Sequence, residues 1–110
     1  MLTDRQIEDS IKSGRFSVAP FHKKNIRTSR YNVHLGSTIL KPINIGQTIN
    51  PADPKIQPEY QEIDILNSNY VLKSGDFVLG QTLEKVGLDS DLGLFVDGSS
   101  TLARLGLSIC

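Results

Sequence analysis

The sequence predicts a mainly β domain, a barrel or sandwich of short strands fronted by one helix. Three observations predict it. Short alternating or apolar runs recur along the chain, with Gly, Pro, Asp and Ser between them. A clear helical period occurs only at the N-terminus and again, briefly, near the C-terminus. A length of 110 residues is that of one domain, so residues 1–110 are read as a single unit.

The first element is a helix. Thr3 is placed to cap it, and Gln6 three residues on completes a capping box, with Leu2 and Ile7 at the staple positions. Ile7 and Ile11 share a face, and Gly14 is the expected stop. Arg15-Phe16-Ser17-Val18 then alternates up to Pro20, and His22-Lys23-Lys24-Asn25 reads as a polar loop. Tyr31-Asn32-Val33-His34-Leu35 has the period of a half-buried strand, continued or paired by Ser37-Thr38-Ile39-Leu40 beyond Gly36. Pro42, Pro51, Pro54 and Pro58 make the stretch between them a loop with at most short edge strands.

Glu62-Ile63-Asp64-Ile65-Leu66 alternates again. Tyr70-Val71-Leu72 leads into the turn Lys73-Ser74-Gly75-Asp76, and Phe77-Val78-Leu79-Gly80-Gln81-Thr82-Leu83 follows as a strand. After the turn Asp89-Ser90-Asp91, Leu92-Gly93-Leu94-Phe95-Val96 is expected to be a short apolar strand. It runs into the Gly98-Ser99-Ser100-Thr101 corner and a short helix carrying Leu102 and Leu105. Gly106-Leu107-Ser108-Ile109-Cys110 reads as the beginning of another strand, as though a β-fold were interrupted there.

Totals narrow the function. Twelve basic residues balance twelve acidic ones, which argues against a nucleic-acid binder relying on phosphate neutralisation. A small anionic ligand needs only a local cluster of donors and stays open. The single cysteine, Cys110, permits neither an intrachain disulfide nor a cysteine zinc cage. The polar N-terminus lacks an apolar signal core, and no run approaches a membrane span, so the cytoplasm is the expected location. His22 and His34 have no third ligand in pattern, and Asp89-Ser90-Asp91 lacks the glycine and glutamate of a calcium loop, so no metal ligand is assigned.

Chemistry concentrates in Asp97-Gly98-Ser99-Ser100-Thr101-Leu102-Ala103-Arg104. A strand ending at glycine lets a ligand approach the backbone. A helix start beyond it presents free N–H groups suited to phosphate. Ser99, Ser100 and Thr101 add hydroxyls and Arg104 a guanidinium. The simpler reading is that a serine caps the helix and Arg104 is solvated.

Gly98-Ser99-Ser100-Thr101-Leu102-Ala103-Arg104-Leu105-Gly106-Leu107 resembles the Gly-Arg-Ser-Ser-Leu-x-Arg-x-Gly-Leu signature of dCTP deaminases and their dUTPase relatives. Met1-Leu2-Thr3-Asp4-Arg5-Gln6-Ile7 resembles the family's opening. Tyr31-Asn32-Val33-His34-Leu35-Gly36 is similar to its Asp-x-Arg-Leu-Gly strand. The run from Leu72 to Glu84 is similar to its Leu-x-Pro-Gly-Glu-Phe-x-Leu-x-x-Thr-x-Glu hairpin. The four matches occur in order along the whole chain.

This resemblance implies a distorted β-barrel of the dUTPase-like β-clip kind and a homotrimer with active sites between subunits. The substrate implied is a deoxynucleoside triphosphate, dCTP or dUTP, with Mg2+ and without zinc. Water attacks C4 of cytosine, ammonia leaves, and a glutamate exchanges the protons. Ser100 then stands near the reacting centre, Thr101 and Ser99 on the phosphates, and Arg104 in a neighbouring subunit's site.

The departures are as informative. The family's glutamate follows the signature on later strands, beyond Cys110. The signature's first arginine is Ser99 here, which removes a bidentate phosphate contact. The aspartate and arginine of the Asp-x-Arg-Leu-Gly strand are Asn32 and His34. The expected activity is dCTP deamination to dUTP. The alternatives are dUTP diphosphate hydrolysis, a bifunctional route from dCTP to dUMP, and a shortened, non-catalytic nucleotide-binding or assembly module.

Overall fold

The computed structural model describes all residues except 44, 45, 47, 54 and 56. Helix α1 spans Asp4–Lys12 and begins as predicted. The Thr3 hydroxyl accepts from the Gln6 N–H at 3.3 Å, while the Thr3 N–H donates to the Gln6 side chain at 2.9 Å. Ser13 closes the helix, and Gly14 follows at φ +79°. Ile7 is buried, and Leu2 and Ile11 pack beside it.

Among the described residues seven strands follow, all antiparallel and gathered into three small sheets. Strand β1 (Phe16–Ala19) pairs with β7 (Lys85–Leu88), Phe16 opposite Leu88 and Val18 opposite Val86. Alternation along β1 is strict: Phe16 and Val18 point into the core, Ser17 and Ala19 outward. Strands β2 (Ile26–Arg27) and β3 (Arg30–Tyr31) form a minimal hairpin, with Ser29 at φ +60° in its turn. The three-stranded sheet has the order β5-β4-β6, with β4 (Leu35–Pro42) central between β5 (Tyr60–Asp64) and β6 (Leu79–Thr82). A register shift between Leu35 and Ile39 bulges β4 against β6. Helix α2 (Ser100–Arg104) ends the sequence of elements.

The mainly β class with two helices is as the sequence predicted, in small sheets that do not close into a complete barrel among the described residues. Ile7, Phe16 and Val18 form the core beneath α1, β1 and β7. Tyr31 caps it with its ring edge-on to Phe16, 6.1 Å between centroids.

Two expected strands are absent. Leu92-Gly93-Leu94-Phe95-Val96 has no ladder partner among the described residues: Leu92 packs on the core, whereas Phe95 is 96% exposed. Residues 107–110 likewise pair with no strand among those described. Apolar character alone does not make a strand; a partner edge is needed, and neither segment meets one. The proline-rich loop is irregular or turn-like where described, although β4 extends to Pro42 opposite Tyr60, and Pro54 lies outside the described residues.

Candidate functional site

Helix α2 gathers the predicted residues. Ser99 is its N-cap: backbone extended, hydroxyl accepting from the Leu102 N–H at 3.3 Å. The capping role therefore belongs to Ser99. Ser100, Thr101 and Arg104 lie within the helix and are exposed. Four residues apart, Ser100 and Arg104 share one face, and Thr101 is three from Arg104. Their side chains form no hydrogen bond or ion pair among the described residues.

The far end of α2 is closed by a Schellman motif. The Leu107 N–H donates to the Leu102 carbonyl at 3.1 Å and the Gly106 N–H to the Ala103 carbonyl at 3.0 Å, with Gly106 at φ +83°. Glycine is required there, because an L side chain is strained in that region. At the near end, a Cβ on Gly98 would lie 3.3 Å from Ile109 Cβ, so the returning chain packs against the corner. Thus Gly98 and Gly106 set both ends of a helix that presents two hydroxyls and a guanidinium to solvent. Leu94, Phe95, Val96 and Leu105, all more than half exposed, adjoin it in sequence.

A second constellation went unread in the sequence. Glu84 is 3% exposed and accepts from the His34 backbone N–H at 2.9 Å, while its other oxygen lies 2.7 Å from His34 Nδ1. Burial pushes the Glu84 carboxyl up. The bonds from the His34 backbone and ring outweigh burial and hold it below the ordinary carboxylate range. The Leu83 N–H donates to the His34 carbonyl at 2.8 Å, so the clamp ties the β4 approach to the turn between β6 and β7. The only forewarning was that His34 occupies the place of the arginine in the Asp-x-Arg-Leu-Gly pattern.

Glu84 and His34 border a cleft of about 230 Å³ together with His22, Lys24 and Asn25. A second cleft, about 350 Å³, lies over the three-stranded sheet between Thr38, Glu62 and Gln81. The α2 residues border neither cleft. Among the described residues, no three His, Cys, Asp or Glu side chains converge as a metal site. No helix there is long and apolar enough to cross a membrane.

A family profile described as dCTP deaminase-like matches residues 1–110. Similar proteins include the "dCTP deaminase, dUMP-forming" of Methanoculleus marisnigri, 32% identical over 99% of this chain and 58% of its own length. Proteins of the same name from Dictyoglomus thermophilum and Rhodococcus opacus are each 34% identical, over 99% and 97% of this chain. The chain spans 58% and 57% of their respective lengths.

Proposed function

The chain belongs to the dCTP deaminase-like family, and from that premise we propose that it supplies the phosphate-gripping part of a deoxycytidine triphosphate hydrolase. The observation carrying this reading is α2 itself. Two hydroxyls and a guanidinium are presented side by side, without partners among the described residues, on a helix bounded by two glycines. That donor set matches phosphate oxygens.

On this reading Thr101 and Arg104 hold the phosphates, Arg104 reaching into the site of a neighbouring copy. Ser100 stands by the pyrimidine. Water adds to C4 of cytosine, the C4–N bond breaks, and ammonia leaves a uracil ring. A glutamate takes the proton from water and returns it to the departing nitrogen; the resemblance assigns it after the signature. A donor set of hydroxyls and a guanidinium suits phosphate rather than metal, so Mg2+ would arrive coordinated to the triphosphate. The exposed Leu94, Phe95, Val96 and Leu105 supply an apolar ledge for the neighbouring copy of a homotrimer.

The relatives' names favour dUMP over dUTP as the final product. Deamination would then be followed by hydrolysis of dUTP to dUMP and pyrophosphate. The non-catalytic reading is favoured by Ser99, which caps α2 and offers no guanidinium where the signature has its first arginine.

Calorimetry with a non-hydrolysable dCTP analogue and Mg2+ tests the site. Binding that weakens about tenfold or more in Arg104→Ala is expected, since a charged hydrogen bond contributes roughly 1.5–3 kcal/mol. Absence of binding, or equal binding by Arg104→Ala, would overturn the assignment. Chromatographic separation of dUMP from dUTP after incubation with dCTP decides the product.

A further inference from the structure

The cleft beside β1 and the β4 approach is built from residues that the α2 reading does not use. Within the 3-10 turn Lys23–Asn25, adjacent lysines have different surroundings. Lys23 Nζ pairs with Glu8 Oε1 at 2.9 Å. Lys24 has no ion pair among the described residues and borders the cleft. Asn25, next along, is 6% exposed. Its backbone is satisfied: its N–H donates to the His22 carbonyl at 2.9 Å, and its carbonyl accepts from the Asn32 N–H at 2.8 Å. Its carboxamide Nδ2 is buried with no acceptor among the described residues. A buried donor without an acceptor is costly and rare in a folded protein.

The remaining walls are held in place. The His22 N–H donates to the Tyr31 hydroxyl at 3.0 Å, and the Tyr31 ring is set against Phe16 and Phe21. On the opposite side, His34 Nδ1 is engaged by Glu84, which leaves Nε2 as the ring nitrogen free for a ligand. Glu84 is the cleft's one acidic group, and both its oxygens are taken up by His34. The remaining polar walls supply an ammonium and two imidazoles, with the unpaired Asn25 amide buried behind them.

We propose that this cleft binds a small oxyanion of the phosphate class, held by Lys24 and His22 above the buried Asn25 amide, with His34 at its edge. About 230 Å³ accommodates a phosphate group with part of its water, at about 30 Å³ per water. The inference is independent of the nucleotide site on α2. Free phosphate and a phosphate ester offer the same chemistry.

The test is an NMR titration of the full 110-residue chain, following the ring resonances of its two histidines, His22 and His34. Inorganic phosphate is one arm and deoxycytidine monophosphate a second; unphosphorylated deoxycytidine is the control. Saturable shifts of both rings are expected at about millimolar phosphate, with none from deoxycytidine. Whichever phosphate binds more tightly identifies the source. Lys24→Ala should weaken the response about fivefold, while Lys23→Ala, with its side chain on Glu8, should leave it within about twofold. Circular dichroism confirms that each variant is folded. The proposal is overturned if phosphate produces no saturable shift, if deoxycytidine matches it, or if the two lysine variants lose affinity equally.

Discussion

Replacing Glu84 with glutamine probes a nearly buried carboxylate that holds two groups of His34. Glutamine keeps the shape and one carbonyl acceptor, but it exchanges a carboxylate oxygen for an NH2 group. One of the two His34 groups therefore loses its charged acceptor. A hydrogen bond to a charged group contributes roughly 1.5–3 kcal/mol, and the half-exposed His34 ring regains part of that from water, so Glu84→Gln should cost about 2 kcal/mol near neutral pH. The magnitude rests on geometry: 3% exposure, and contacts of 2.9 and 2.7 Å that link segments fifty positions apart.

The pH dependence has a definite sign. Hydrogen bonding to His34 depresses the Glu84 carboxyl below its ordinary value of 4.5 against the opposing pull of burial. A depressed carboxylate contributes stability that is fully present above the unfolded value and is lost as pH falls through the folded value. The wild type should therefore lose this contribution below about pH 4.5, and Glu84→Gln, with nothing there to protonate, should not. Glu8 and Asp64 are also held low, by lysine partners and by the Leu66 N–H respectively, but they are common to both proteins and cancel in the difference. Urea unfolding reads the effect. The three tyrosines give the fluorescence signal, there being no tryptophan. A gap of about 2 kcal/mol near pH 7 should shrink progressively once the pH falls below the ordinary carboxylate range. An unchanged midpoint in the variant at pH 7, or a gap that persists on acidification, would refute the reasoning.

Other perturbations have simpler readings. Thr3→Ala removes the capping hydroxyl of α1 and should cost about 1 kcal/mol in chemical denaturation. Gly106→Ala forces a side chain into φ +83° and should cost about 1 kcal/mol; Gly93→Ala, with open space around it and no positive φ, should be nearly neutral. Phe16→Ala empties the centre of the core and should lower stability by about 3 kcal/mol or more, read from the thermal midpoint. If copies of the chain cover its apolar surface, the thermal midpoint should rise with protein concentration, as light scattering at matched concentrations would corroborate.

How much of this was legible depends on how local each signal is. Helix α1 was readable to the residue, because Thr3, Gln6 and Gly14 act within one or two turns of themselves. Strand β1 was readable because Phe16 and Val18 alternate in four residues. Strand β7 was not: Lys85-Val86-Gly87-Leu88 follows β6 after only Leu83 and Glu84, with no glycine or proline to mark the turn. Instead the Thr82 hydroxyl donates to the Glu84 carbonyl at 2.7 Å. The apolar run at 92–96 read as a strand because composition does not reveal whether an edge is available. The His34–Glu84 clamp lay outside local reasoning altogether, being a contact between distant segments. On α2, residue types were legible and the division of labour was not: geometry assigns capping to Ser99 and leaves Ser100, Thr101 and Arg104 presented to solvent.

The surface of the isolated chain bears on where that presentation leads. A folded monomer of 12.1 kDa is expected to expose about 6,000 Å², whereas this chain exposes 9019 Å². Its radius of gyration is 17.1 Å against about 13 Å for a compact domain of this length. Among the described residues only Ile7, Phe16, Val18 and Ile39 are buried apolar side chains, while Leu94, Phe95, Val96 and Leu105 beside α2 lie open. The excess, about 3,000 Å², is of the size that obligate interfaces cover. On the reading proposed above, burial of this surface by a neighbouring copy and occupancy of α2 are coupled. A guanidinium on an open surface competes with water for phosphate at a disadvantage, and the same group beneath a neighbouring subunit does not. Nucleotide affinity should then be set as much by what covers the 94–96 ledge as by Arg104 itself. Substituting Phe95, which touches no phosphate in the proposed arrangement, should weaken binding through assembly alone.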